Sequence, residues 1–381
     1  MSAKNGSTFR SARRLAGICL AVAFALAAFA SAANAKPIVK TYLALGDSLA
    51  FGYSQQLYNE HSAEGDPAVF FENGYVDRYA EKLQKKTLWA KVNLGCPGET
   101  SKGLLGNKAL GKALEESFGA TTEAPCAYQS AWEAFKKPGT GGPLHVGYQG
   151  KSQLEKALEE IAVAAGTGKP VEKVTLNIGA NDQLALVKQC EKEVKEEFEK
   201  EGKSKYGGGP EEAVKHCLEA NAFALVKKII TNVEAAGYAI RNGAEFGGVN
   251  YSGPITFMAS YDPFGVVHAK GEKYGPALEK EGTGKEVLEG SVPLAGLINL
   301  EEANHFAQKF NPEKEEFGFE GCTANPLPYF NPQNAKEPGR LQTLTNMNNY
   351  TTFESKPNGP DIHPTPAGYL KLAKEVKHHC G

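Results

Sequence analysis

Four short segments carry residue types that together could cleave an ester. Gly46-Asp47-Ser48-Leu49 closes the apolar run 39–45, so a serine hydroxyl is thrown off a strand end at a glycine turn, where a nucleophile would sit. Asn93-Leu94-Gly95-Cys96-Pro97-Gly98-Glu99-Thr100 follows the apolar stretch 88–94, and Gly179-Ala180-Asn181-Asp182 follows 174–178. Asp361-Ile362-His363-Pro364 lies near the C-terminus. A serine nucleophile needs a base within hydrogen-bond reach and donors aimed at the oxygen that turns negative in the tetrahedral intermediate. His363 has the chemistry of the base, since an imidazole changes charge near neutral pH. The Ser48 and Gly98 backbone N–H groups and the Asn181 side-chain amide are the candidate donors. Gly98 suits the role because, without a Cβ, it lets a substrate oxygen approach the backbone.

The elements around these segments must bring them to one place. Three of the four follow a predicted strand, and in an open parallel sheet ligands bind beyond the carboxyl ends of the strands. Along the chain, strands and helices alternate, which argues for a doubly wound α/β domain. Helical spacing over 152–165 precedes the third strand, and 255–259 reads as a fourth. The histidine arrives on a late loop instead. Thr365-Pro366 then reads as an N-cap with proline at the first helical position, and Tyr369, Leu372, Ala373 and Val376 follow at helical spacing. This last helix is expected to pack on the sheet and hold the histidine loop.

In this order the four segments resemble the SGNH, or GDSL-type, hydrolase family in its secreted bacterial form, from the first strand to the last helix. The resemblance implies a three-layer, flavodoxin-like parallel sheet with helices on both faces. It also implies a nucleophilic Ser48, an oxyanion hole from Ser48, Gly98 and Asn181, and His363 as base. One position departs from the family pattern. The aspartate usually found three residues before the histidine is replaced by Pro360, and Asp361 stands only two before. Two arrangements are open: Asp361 completes a triad by another loop path, or the Pro360 carbonyl accepts from the imidazole and the site runs on a dyad. For Asp47 and Asp182, hydrogen bonding to nearby backbone that shapes the turns is weighed at least as heavily as direct catalysis.

Residues 1–35 read as a secretory signal peptide. Arg10, Arg13 and Arg14 precede the apolar stretch 15–30, and Ala33-Asn34-Ala35 offers the cleavage site. The stretch is short and alanine-rich for a membrane span, with an uncleaved anchor as the alternative. Six cysteines remain, Cys96, Cys126, Cys190, Cys217, Cys322 and Cys380, and an even number in an exported chain argues for disulfides. Connectivity is not readable from spacing, but chain order offers Cys96–Cys126 to staple the Gly98 loop, Cys190–Cys217 across a helical hairpin, and Cys322–Cys380 onto the last helix. Mature residues 36–381 are read as a single domain with insertions at about 101–147 and 183–235. Residues 265–295 are expected to loop over the active-site edge.

The 381 residues are 41% hydrophobic and 23% charged, ordinary for a globular chain. Without Lys4, Arg10, Arg13 and Arg14 of the leader, 38 basic face 44 acidic residues, a balance of −6. That balance gives no reason to expect nucleic acid or anionic lipid heads as partners. Gly150-Lys151-Ser152 ends like a phosphate-binding loop, but the required earlier glycine is His145. No metal or organic cofactor is called for. The expected partner is a small-molecule, lipid or glycan ester, and the chain is taken as a monomer. Phe51, Tyr53, Phe70, Phe71 and Tyr75, soon after the serine, favour an apolar acyl or aromatic pocket while allowing that half or more are core. The alternatives are a carbohydrate acetyl esterase and a catalytically weak glycan- or lipid-binding protein on the same fold.

Overall fold

The run Thr41-Tyr42-Leu43-Ala44-Leu45 is apolar on both faces, as a strand covered from both sides must be. In the computed structural model it lies in β1 (Lys40–Gly46), with parallel neighbours on each edge. The description covers residues 39–54, 57, 60, 70–85, 87–126, 150–259, 321–326 and 363–380, all within one compact unit that begins at Val39. The other strands are β2 (Trp89–Asn93), β3 (Val171–Asn177), β4 (Ile255–Met258) and β5 (Cys322–Ala324). Their order is β2-β1-β3-β4-β5, parallel throughout, the flavodoxin-like arrangement of a doubly wound sheet.

Alternation along β1 separates the two helical layers. Leu43 and Leu45 enter one core with Leu104 and Leu105 of α3 (Ser101–Leu105), Leu110 and Leu114 of α4 (Ala109–Phe118), and Leu154 and Ile161 of α5 (Gln153–Gly166). Tyr42 and Ala44 enter the other, with Leu49 of the short α1 (Ser48–Phe51), Tyr75, Val76 and Tyr79 of α2 (Tyr75–Gln84), and Tyr369, Leu372, Ala373 and Val376 of α8 (Pro366–Cys380). Truncating one of these leucines to alanine should cost about 2–5 kcal/mol.

Local signals account for the helix starts. Ser152 caps α5 by accepting from Glu155 N, and the Glu155 side chain accepts from Ser152 N at 2.7 Å. The Gly150-Lys151-Ser152 string is therefore a capping box, with Lys151 paired to Glu159. Thr365 Oγ1 accepts from Gly368 N at 3.2 Å ahead of Pro366. The expected hairpin extends past 183–235 at both ends, as α6 (Ala180–Glu201) and α7 (Pro210–Arg241). Only its outer part has a separate core, Leu186, Cys190, Val194, Val214, Cys217 and Leu218. The inner half of α7, through Ile229, Val233, Ala236 and Ile240, belongs to the central layer. In the same way, α3 and α4 within 101–147 place four leucines in the central core, because apolar residues at helical spacing outweighed the surrounding glycine. Strand β5 is three residues long, too short to stand out in sequence.

Three disulfides join Cys96 to Cys126, Cys190 to Cys217 and Cys322 to Cys380, with Cα separations of 6.4, 5.8 and 5.6 Å. No helix among the described residues is long and apolar enough to cross a membrane. The signal segment 1–35 and the glycine- and lysine-rich stretch 265–295 lie outside the described residues.

Candidate active site

Strand β1 ends at Gly46, whose φ of 145° turns the chain so that Asp47 N donates to Asn177 O of β3 at 3.0 Å. A side chain at residue 46 would strike that carbonyl, which is why glycine stands there. Asp47 caps α1 by accepting from Leu49 N at 2.9 Å, and Ser48 becomes the first helical residue, half-buried. Pro366 starts α8 three residues after His363. Two segments far apart in sequence meet here: His363 Nε2 lies 2.8 Å from Ser48 Oγ. The imidazole ring is 4.7 Å from the Tyr53 ring at an interplanar angle of 58°. Tyr369 O–H donates to Tyr53 O at 2.7 Å, fastening α8 to the turn that follows Ser48.

The Gly98 loop is laced to the same turn. Leu94 N donates to Ala44 O at 2.7 Å, Cys96 N to Gly46 O at 2.9 Å, and Asn93 Nδ2 to Ala50 O at 2.8 Å. Gly95 rests directly on the backbone of α1, where a Cβ would clash. Gly98 is exposed with φ of 80°, a left-handed conformation that gives glycine a second reason to stand there. Asn181, in the first turn of α6, spends one N–H on Glu99 O at 2.8 Å, which orients the other. Asp182 accepts from Ser101 N at 2.7 Å and from Ser101 Oγ at 2.8 Å. The weighed alternative for Asp182, a carboxylate that shapes a turn, matches these bonds.

Three buried acids stand behind this edge. Burial pushes the Asp47 carboxyl from 3.8 up to about 7, opposed by the Leu49 N–H bond and by the nearby His363. Burial likewise pushes Glu99 from 4.5 up to about 8, and raises Asp182 against its two bonds from Ser101. Asp47 Oδ2 and Glu99 Oε1 are buried and accept no hydrogen bond within the described structure. Among the described residues no cluster of His, Cys, Asp and Glu could hold a metal ion.

Ser48, His363, Gly98 and Asn181 thus converge on one sheet edge, while Asp361 and Pro360 lie outside the described residues. Phe51, Tyr53, Phe71 and Tyr75 are all buried, so these four rings belong to the core, and Tyr53 also packs on the His363 ring. Sequence reasoning did not single out Gln153, whose side chain holds both backbone groups of Gly46. Gly46 N donates to Oε1 at 2.5 Å, and Nε2 donates to Gly46 O at 3.0 Å. Its only signal was a polar residue at the start of an amphipathic helix. Asn232 of α7 was also missed; its amide joins Ser101 Oγ at 2.9 Å and Thr121 N at 2.8 Å.

No family model matches the sequence, and a search of curated protein sequences finds no match. Similar solved structures include one named as a GDSL-like lipase from Parabacteroides merdae, 11% identical over 90% of this chain and 95% of the other, with TM-score 0.35. Another is an acetyl xylan esterase variant from Geobacillus stearothermophilus, 13% identical over 89% and 95%, with TM-score 0.34. A family two carbohydrate esterase variant from Clostridium thermocellum is 10% identical over 90% and 63%, with TM-score 0.33. At these scores the likenesses carry no argument about activity in this chain.

Proposed function

We propose that this protein is an exported serine ester hydrolase working through an acyl-enzyme on Ser48. The observation that carries the reading is the 2.8 Å approach of His363 Nε2 to Ser48 Oγ across almost the whole chain. His363 takes the hydroxyl proton as Oγ bonds to the substrate carbonyl carbon, and the carbonyl oxygen becomes negative. The Ser48 and Gly98 N–H groups and the oriented Asn181 amide stabilise that oxygen. As the intermediate collapses, the ester C–O bond breaks and the alcohol leaves with the proton from His363. Water then attacks the acyl carbon, giving its proton to His363, and Ser48 is released with its hydrogen restored. Asp361 or the Pro360 carbonyl fixes the imidazole. Residues 36–381 act as one monomeric domain, and three disulfides accord with an oxidising compartment.

Hydrolysis of p-nitrophenyl esters tests the reading: the wild type turns them over and Ser48→Ala does not. Comparing fatty acid release from glycerides with acetate release from acetylated glycans sorts the substrate class. Absence of turnover on every ester, with a folded and disulfide-bonded chain, would contradict the proposal.

A further inference from the structure

Glu99 follows the exposed Gly98 but is itself only 1% exposed. Its backbone carbonyl takes the Asn181 amide, and its Oε2 accepts from Gln153 Nε2 at 3.4 Å. That same Gln153 amide grips Gly46, two residues before the nucleophile. One side chain therefore stands between the Gly98 loop, the Asn181 turn and the strand end that carries Ser48. Gly103 of α3 leaves it room that a Cβ would take.

Burial and two neighbouring acids disfavour a charge on it. From α6 it faces Asp182, and from the segment after α4 it faces Glu123, both negative. Lys102 of α3 is paired with Glu123 at 3.3 Å. The Thr100 and Cys126 N–H groups face Glu99 and favour its charged form, but burial outweighs them. From α5 only the uncharged Gln153 amide reaches it. Among the described residues no cation pairs with Glu99, and Oε1 has no acceptor bond. A buried carboxylate without a cation is costly, so the proton stays on.

We propose that Glu99 is a positioning residue that works as an uncharged carboxylic acid, keeping the Gly98 and Asn181 donors in register with the Ser48 turn through Gln153. This rests on the reading of Ser48 as nucleophile. Ionisation would draw the Gln153 amide off Gly46 and push Asp182, with the helix start bearing Asn181, away. Activity should therefore fall on the alkaline side, through kcat and not KM, beginning near pH 8.

Glu99→Gln and Glu99→Ala test this on a p-nitrophenyl ester from about pH 6 to 9.5, with thermal unfolding and Ser48 labelling alongside. Glu99→Gln should stay within about threefold of wild type near pH 6.5 and hold its kcat at the alkaline end, where wild type drops roughly tenfold. Its unfolding midpoint should rise relative to wild type as pH increases. Glu99→Ala should lose about tenfold or more in kcat at every pH. An alkaline limb shared by wild type and Glu99→Gln overturns the role of Glu99 while leaving Ser48 in place. No turnover and no labelling of Ser48 in the wild type overturns the nucleophile reading, and the role of Glu99 with it.

Discussion

In the outer part of the α6–α7 hairpin, acids stand in solvent beside lysines. Lys192 faces Glu196 at 3.9 Å and Lys195 faces Glu199 at 4.0 Å, all four side chains exposed. At the sheet edge, Asp47, Glu99 and Asp182 are buried, and the bonds they accept come from backbone N–H, hydroxyl and amide groups. The two regions use the same residue types for different ends. Exposed pairs solvate a helix face and contribute little. Buried acids lower the stability of the fold and are kept where they hold backbone donors in place.

The contrast predicts that damage at the edge shows in chemistry and that loss of the hairpin's exposed ion pairs shows in neither chemistry nor stability. Ser48→Ala should lower kcat for an aryl ester by about 10⁴-fold or more, with the unfolding midpoint nearly unchanged. Asn181→Ala should lower it by about 10²–10³-fold in steady-state kinetics. An effect confined to KM would remove Asn181 from the oxyanion hole. The buried acids then set a pH dependence. Asp47 and Glu99 bind protons more tightly in the folded chain than in the unfolded one. Their contribution is therefore fully present below about pH 4 and is lost as pH rises through about 7 and 8. Thermal unfolding should show the wild type losing several degrees relative to Asp47→Asn between about pH 5 and 8. Parallel curves would erase the distinction between the two regions. Smallest of all, Lys195→Ala should change stability by less than about 0.5 kcal/mol in urea unfolding.

The parts legible in sequence were those with local causes. Strand β1 showed as an apolar run, α5 as helical spacing over 152–165, α8 as Thr365-Pro366, and the four site segments as short strings, three of them at strand ends. Gln153 and Asn232 were not legible as neighbours of the site, because their partners are 107 and 131 positions away and nothing local marks them. The inner half of α7 hid for another reason: its helical pattern is continuous with the outer half, so sequence could not say where the hairpin joins the central layer.

His363 is proposed to activate Ser48. Fluorophosphonate treatment of the chain from Lys36 onward, followed by mass spectrometry of the wild type and His363→Ala, tests it most directly. A label on Ser48 that falls away in the histidine variant is expected. An unlabelled Ser48 in a folded protein with its three disulfides intact, or equal labelling in both, would contradict it.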